Sequence, residues 1–311
     1  MELEELKAEI EDLHTKRQFS AIKTILNQLN PADIAQLLEE FSNEERLLFF
    51  RLLGKEEAAD TFVELEPDNQ KALIHAFSDN ELREVLDELY LDDTVDMIEE
   101  MPATVVKRIL RNTDVETRAS INTLLRYPED SAGSIMTPEF VDLKRDMTVE
   151  DAFKRIRRTG VDKETIYTCY VTDASRHLLG VTTVKELLLH DQDDRIETFM
   201  ETNVIYVNTL SDQEEAAAQL SKYDFLALPV VDLEERLVGI ITVDDAMDVI
   251  QEENTEDIQK MNAIVPTERT YLKTGVLATW KSRIPWLLLL MVSATFTGSV
   301  SYTPLTLPPK L

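Results

Sequence analysis

The segment PVVDLEERLVGIITVDDAMDVI, residues 229–250, decides the fold of the middle of this chain. An apolar run leads into a turn at Asp232, a second apolar run continues through Gly239, and Thr242 then opens an acidic amphipathic stretch. Two apolar runs joined by a turn predict a pair of strands, and a Thr before an amphipathic stretch predicts the start of a helix. The segment therefore predicts a strand–turn–strand–helix unit.

A related pattern occurs earlier in the chain. In YVTDASRHLLGVTTVKELLL, residues 170–189, Asp173 takes the place that Asp232 has in the turn. Together with the stretches upstream of them, both copies predict a β-α-β-β-α unit. This layout resembles a tandem pair of CBS domains, the regulatory modules named after cystathionine β-synthase. We therefore predict an α/β CBS pair, with one domain at residues 131–198 and the other at residues 199–250.

Upstream of this pair, the chain carries a series of helical phrases. NPADIAQLLEEF begins at Asn30, and similar phrases begin at Gly54, Ser78 and Tyr90. Each phrase opens with polar, Pro or acidic residues and then places apolar residues three and four apart, as amphipathic helices do. Short helices that recur in this way bury their apolar faces by stacking on one another. We predict an all-α superhelical domain over residues 1–130.

The charge and the residue types of the chain exclude several classes of function. Lys plus Arg number 32 against 60 Asp plus Glu, so the net charge is −28 and binding driven by nucleic-acid phosphates is excluded. The single cysteine, Cys169, permits no internal disulfide, which favours a reducing compartment. The histidines lie in separate segments without metal-ligand spacing, and no P-loop or nucleophile motif appears. The chain is therefore predicted not to be an enzyme, and cations are its expected partners.

Two windows contain many carboxylates and no Lys or Arg. They are residues 84–100 and residues 244–257, and neither window carries its own counter-charge. Clustered carboxylates without His or Cys suit hard cations such as Mg²⁺, which binds one or two carboxylates and keeps several waters. The alternative is a solvated acidic face that keeps the protein soluble. The second window is also predicted to begin a connecting helix at residues 244–270.

The C-terminal part contains an uncharged apolar run, IPWLLLLMVSATFTGSV, at residues 284–300. Its length is at the lower limit of the roughly 17–25 residues that span a bilayer. The stretch before it is mildly basic, which places residues 1–280 in the cytoplasm and the protein at the cell membrane, in contact with lipid. The alternative is a buried core helix. Residues 301–311 lack a helical period and are interpreted as a non-native tail of a truncated chain.

Three phrases, taken with this domain order, resemble the MgtE family of magnesium channels. They are YPEDSAGSIMTPEF at residues 127–140, SDQEEAAAQLSKYDFLALPVVD at 211–232 and GIITVDDAMDVIQEENTEDI at 239–258. The resemblance implies a homodimer joined through its CBS domains, whose cytosolic part senses Mg²⁺ and closes the pore through a connecting plug helix. The pore helices that follow the first transmembrane helix in that family have no counterpart here. This chain alone is therefore not expected to conduct ions.

The resemblance also assigns sensing carboxylates to matching positions, all of which hold Asp or Glu in this chain. They are Asp92, Glu214, Asp224, Asp245, Glu253, Glu256 and Asp257. Two unit charges ~4 Å apart interact by about 4 kcal/mol at an effective dielectric constant near 20, so crowded carboxylates in separate modules repel one another. Magnesium ions that bridge them would favour a compact, closed state by differential binding. One expected bridge joins Asp92 to Asp245.

A CBS cleft can also bind adenine nucleotides such as ATP or AMP. Thr242 and Asp245 form a Thr-x-x-Asp phrase suited to a ribose hydroxyl, whereas the first copy has Thr183 and Glu186. A nucleotide-sensing CBS module tethered to the membrane is therefore an alternative function. A helical-repeat scaffold that recruits a basic partner protein is a third.

Overall fold

The computed structural model describes residues 3–261 and 276–301. By its contacts the chain divides into two compact units, Met1–Val243 and Asp244–Leu311. The first unit contains a helical domain and two α/β domains, and the second contains helices. Each unit is described by itself below.

The helical domain is built from ten short helices in its described part, from residue 3 onward. They are α1 (Leu3–Thr15), α2 (Phe19–Leu26), α3 (Pro31–Glu39), α4 (Asn43–Phe50), α5 (Lys55–Val63), α6 (Pro67–Ala76), α7 (Asp79–Leu86), α8 (Leu91–Glu99), α9 (Ala103–Asn112) and α10 (Val115–Leu124). Alternate helices pack on each other, since α3 contacts α5, α5 contacts α7 and α7 contacts α9. Their apolar stripes form the core of a stacked helical array, as the sequence predicted.

From α3 to α10 the helices begin at a constant interval of 12 residues. Their N-caps are Asn30, Ser42, Gly54, Glu66, Ser78, Tyr90, Pro102 and Asp114. Four of these are the predicted starts, and the sequence analysis missed the other four. Ser42 carried a usable signal, because its side chain and that of Glu45 form a capping box, which marks a helix start.

A buried arginine closes the turn between α3 and α4. Arg46 is 4% exposed, and its guanidinium donates to the carbonyl oxygens of Leu38 at 3.0 Å and Phe41 at 3.0 Å. A third bond, from Nη2, reaches the carbonyl of Glu39 at 3.3 Å. The last carbonyls of a helix have no partner inside the helix, so this side chain satisfies groups that the fold buries.

Replacing Arg46 with alanine should destabilise the helical domain. The change removes these bonds and leaves buried carbonyls unsatisfied, and we expect a loss of about 3 kcal/mol in the free energy of unfolding. Urea denaturation followed by circular dichroism measures it. Arg51→Ala is the control, because Arg51 makes an exposed pair with Glu81 and should cost less than about 1 kcal/mol. Equal losses in the two variants would refute this role for Arg46.

The first α/β domain has the predicted β-α-β-β-α order, and the second has the order β-α-β-β, with the helix that follows it beginning at Val243. The first contains β1 (Val141–Lys144), α11 (Val149–Thr159), β2 (Thr168–Thr172), β3 (Leu178–Thr183) and α12 (Val184–Leu189), and the second contains β4 (Val207–Asn208), α13 (Gln213–Tyr223), β5 (Ala227–Val231) and β6 (Leu237–Thr242). Short 3-10 helices lie at Gly160–Asp162 and Ile196–Thr198. The sheet orders are β1-β2-β3 and β4-β5-β6, with one parallel and one antiparallel pairing in each.

The two domains are similar in detail and share a core. In both turns an Asp side chain, Asp173 or Asp232, accepts hydrogen bonds from backbone N–H groups of the turn. The turns also meet, because the N–H of Leu237 donates to the carbonyl of Arg176 at 2.9 Å. Phe140, Tyr170, Ala227, Leu237 and Ile240 form one buried cluster, to which both domains contribute. The internal repeat in the sequence thus corresponds to a structural repeat.

The second unit contributes most of α14 (Val243–Met261) and α15 (Val276–Ser301). α14 covers the predicted acidic connecting helix as far as Met261, while residues 262–270 of that prediction and residues 302–311 of the interpreted tail lie outside the described residues. The uncharged run at residues 284–300 falls inside α15, which begins eight residues earlier than predicted. Among residues 3–261 and 276–301, no helix is both long enough and apolar enough to cross a bilayer. The predicted transmembrane helix is therefore not confirmed.

Candidate functional site

Asp92 lies where the helical domain meets the first CBS domain. It occupies the first turn of α8 and is only 7% exposed. The N–H of the preceding residue, Leu91, donates to the carboxylate of Glu139 at 3.1 Å. The backbone of Glu139, in the loop before β1, accepts a hydrogen bond from the N–H of Glu164 at 2.9 Å. These contacts hold acidic residues from distant parts of the sequence around the start of α8.

The pKa of Tyr90, the N-cap of α8, shows that this region is rich in negative charge. Burial raises the pKa of its phenol, and four carboxylates raise it further, namely those of Glu164, Glu139, Asp60 and Asp92. We call these five residues the Tyr90 cluster. Carboxylates from the helical domain and from the first CBS domain therefore lie close enough to Tyr90 to disfavour its phenolate.

Three members of the Tyr90 cluster were missed by the sequence analysis. Asp60 lies on α5, Glu139 precedes β1, and Glu164 lies in the loop before β2, so only the tertiary structure brings them near Tyr90. Burial, together with the charges of Glu56 and Glu57, raises the pKa of the Asp60 carboxyl. For Glu139 a signal existed, because it belongs to the phrase SAGSIMTPEF that supported the family resemblance.

Glu214 and Asp224 lie at opposite ends of α13. Glu214 is in the first turn, where the helix dipole favours anions, and with Asp212 and Glu215 it lines an open cavity of about 300 Å³. Asp224 is the C-cap and adopts a left-handed conformation with φ of 54°. At 1.5 Å per residue, the two positions are separated by about 15 Å along the helix. The structure therefore does not bring these two predicted ligands together.

Four predicted ligands lie on α14: Asp245, Glu253, Glu256 and Asp257. Asp245 is in the first turn, whereas the other three lie in the second half of the helix. Glu256 pairs with Lys260 at 2.7 Å. In the helical domain, Lys55 lies 3.6 Å from Glu84. Basic residues from outside the two windows therefore supply some counter-charge, although such exposed pairs stabilise by less than about 1 kcal/mol.

The predicted ligands do not form a ready-made coordination shell. Among residues 3–261 and 276–301, no three His, Cys, Asp or Glu side chains are placed to hold one metal ion between them. A hydrated Mg²⁺ typically binds only one or two carboxylates directly, so weak binding does not require such a group. Cys169 is fully buried, and burial raises the pKa of its thiol to about 12, so it is a core residue as predicted.

The Thr-x-x-acid phrase of the first CBS domain starts a helix. In the first, Thr183 caps α12 and its hydroxyl accepts from the N–H of Glu186 at 3.2 Å, while the Glu186 carboxylate accepts from the N–H of Thr183 at 3.2 Å. The Glu186 carboxylate is therefore already bonded within the capping box, although a bound ribose hydroxyl would need the same carboxylate as its acceptor. In the second, Thr242 ends β6 and is 5% exposed. The capping box therefore gives Glu186 a structural role.

The sequence matches two known domain families. Residues 29–130 match the MgtE intracellular N domain, and residues 132–193 and 196–252 match the CBS domain. A magnesium transporter MgtE from Thermus thermophilus is 38% identical over 301 residues, which are 96% of this chain and 67% of the relative. The magnesium transporter MgtE of Bacillus subtilis is 30% identical over 278 residues, which are 89% of this chain and 61% of the relative. The chain thus spans between 61% and 67% of the length of these two relatives.

Solved structures agree with the sequence matches. The cytosolic domain of the Mg²⁺ channel MgtE, crystallised in complex with ATP, has a TM-score of 0.74 and 38% identity, covering 78% of this chain and 99% of that one. The soluble part of a magnesium transporter has a TM-score of 0.74 and 32% identity, covering 81% of this chain and 99% of that one. The helical domain and the CBS pair therefore occur together in known structures.

Proposed function

Because the chain belongs to the MgtE family of magnesium transporters, a family of non-enzymes, we propose that it is the Mg²⁺-sensing, cytosolic part of a magnesium channel. In this proposal, Mg²⁺ bound at the acidic side chains of the chain signals the pore to close. The transport activity belongs to this proposal as well, since the chain spans only part of the length of its relatives.

The Tyr90 cluster is the observation that carries the proposal. Its carboxylates come from α5, α8 and the loops around β1 and β2, so they belong to both the helical domain and the first CBS domain. Without a cation these charges repel one another and oppose close packing of the two domains. A divalent ion near them offsets the repulsion, and it therefore binds the compact state better than an open one. The α14 carboxylates would respond to Mg²⁺ in the same way.

Assembly and membrane attachment belong to the same proposal. We expect a homodimer formed through the CBS domains, with residues 1–280 in the cytoplasm and residues 284–300 in contact with lipid. The names of the relatives, which are transporters, support a membrane location. The uncharged run inside α15 supports the lipid contact.

Titration calorimetry with MgCl₂ tests the proposed binding. We expect Asp92→Asn to weaken Mg²⁺ binding about tenfold, which corresponds to about 1.4 kcal/mol. The matched control is Asp87→Asn, since Asp87 is an exposed C-cap in the same acidic window and loses the same charge. The proposal fails if the wild-type chain takes up no Mg²⁺, or if Asp87→Asn weakens binding as much as Asp92→Asn.

Nucleotide binding near Thr242 and Asp245 is a second candidate function. The relative crystallised in complex with ATP favours it, and ATP or AMP would be the ligand. The same calorimeter separates the candidates when ATP is titrated into protein kept free of Mg²⁺. Heat with ATP and none with Mg²⁺ would favour a nucleotide sensor.

A further inference from the structure

A cavity of about 340 Å³ opens beside β1 and α11 of the first CBS domain. Phe140 and Leu237 form apolar parts of its wall. Three cationic side chains and one carboxylate also line it, namely Arg155, Lys163, Arg176 and Asp142. A wall with more positive than negative charge is notable in a chain whose net charge is −28.

The charge of the carboxylate is already compensated. Asp142 accepts a hydrogen bond from the guanidinium of Arg155, and Lys144 lies 3.4 Å from its other oxygen. Although burial favours the neutral acid, Arg155 and Lys144 hold the pKa of Asp142 below its ordinary value. Lys144 contributes to this compensation from outside the cavity wall. The three cationic side chains in the wall therefore carry more positive charge than is needed to neutralise Asp142.

Donors in the wall remain available for a ligand. In the described part of the chain, no ion pair joins Lys163 or Arg176 to another side chain. Thr172 accepts a hydrogen bond from Lys144 Nζ at 2.7 Å, so its own hydroxyl proton can be donated into the cavity. The backbone of Arg176 is held in place, because it has φ of 70° and its carbonyl accepts from the N–H of Leu237.

We propose that this cavity binds a small phosphate-class anion with two or more phosphoryl groups, of which inorganic pyrophosphate is the simplest example. Several cationic donors around one cavity match an anion with several charged oxygens, and charge-assisted hydrogen bonds to phosphate are strong. The cavity is also larger than a single phosphate requires. None of the lining residues belongs to the Thr183 or Thr242 phrases, so this site is distinct from the candidate nucleotide site.

The position of the cavity suggests how a bound anion would affect Mg²⁺ binding at the Tyr90 cluster. Its lining residues Pro138 and Lys163 are sequence neighbours of Glu139 and Glu164 in the Tyr90 cluster. An anion held there would add negative charge next to the proposed Mg²⁺-binding carboxylates. It would therefore strengthen Mg²⁺ binding at the Tyr90 cluster.

Calorimetry with sodium pyrophosphate and the whole 311-residue chain tests this site. The buffer contains no Mg²⁺, because Mg²⁺ would chelate the probe. We expect one saturable site, and at least about tenfold weaker binding in both Lys163→Gln and Arg176→Gln. The matched control is Arg158→Gln, which removes the same charge from an exposed position of α11 and should leave the affinity unchanged. Thermal melting verifies that each variant folds. If Arg176→Gln does not fold, Lys163→Gln alone still tests the site.

Three outcomes would overturn the proposal. They are the absence of saturable heat with pyrophosphate, an equal loss of affinity in Arg158→Gln, and loss of pyrophosphate binding in Thr242→Ala.

Titration with ADP distinguishes free pyrophosphate from the tail of a nucleotide. Tighter binding of ADP, lost in the Lys163 and Arg176 variants, would support the site and identify the nucleotide tail as its ligand.

Discussion

Gly239→Ala is expected to lower the thermal midpoint of the CBS pair by about 8 °C, through a loss of about 3 kcal/mol. A Cβ at Gly239 would lie 2.7 Å from Met136 Sδ and 2.9 Å from the carbonyl oxygen of Thr137. The methionine can move, but that carbonyl is fixed because it accepts a hydrogen bond from the N–H of Ile240 at 2.8 Å. The added methyl group must therefore break this backbone bridge or push β6 away from it.

The glycine at the equivalent point of the first CBS domain should behave in the same way. A Cβ at Gly180 would lie 2.8 Å from the carbonyl oxygen of Glu201. Gly54→Ala is the control, since nothing lies within 4 Å of its Cβ position and its N-cap role should cost at most about 1 kcal/mol. Differential scanning calorimetry measures the three midpoints. If Gly239→Ala and Gly54→Ala had the same thermal midpoint, the close approach of the Thr137 carbonyl would not be the reason for a glycine at position 239.

Magnesium should stabilise the wild-type chain and fail to stabilise a chain with a neutralised Tyr90 cluster. At a free Mg²⁺ concentration of about 100 times its Kd, one site adds about 2.7 kcal/mol to the free energy of unfolding. In Glu139→Gln/Glu164→Gln the repelling charges are gone, so most of that gain should disappear. Gln at position 139 can still accept the N–H of Leu91, as Glu139 does in the wild type, so this backbone contact is kept.

Chemical denaturation with and without MgCl₂ measures this difference. The double variant should also be more stable than wild type in the absence of Mg²⁺, because like charges no longer meet at the domain boundary. Asp87→Asn serves as the control and should keep the full response to Mg²⁺. If Mg²⁺ stabilised the double variant as much as the wild type, Mg²⁺ would bind at a site other than the Tyr90 cluster.

Local patterns in the sequence predicted most of the fold. The starts at Asn30, Gly54, Ser78 and Tyr90 are all N-caps, because helix capping depends on residues within one turn. The CBS pair was predicted equally well, since its strand and turn pattern is local and repeated. The helix that begins after Ser42 was missed because its short apolar pattern was not recognised next to the stronger phrases.

The candidate site was predicted only in part, for a physical reason. Asp92 was identified by resemblance, but its carboxylate neighbours come from α5 and from loops of another domain, and no local pattern encodes that proximity. Sequence spacing likewise could not show that Asp224 ends α13 in a left-handed conformation, far from Glu214. The role of Glu186 in a capping box became clear only from its contacts with Thr183.

Small-angle X-ray scattering of the chain during a Mg²⁺ titration tests the central claim most directly. The claim is that Mg²⁺ draws acidic domains together by neutralising charges that repel one another. The account predicts that the radius of gyration of the wild type decreases as Mg²⁺ is added, and that Glu139→Gln/Glu164→Gln shows a smaller change. A wild-type radius that stays constant over the whole titration would contradict it.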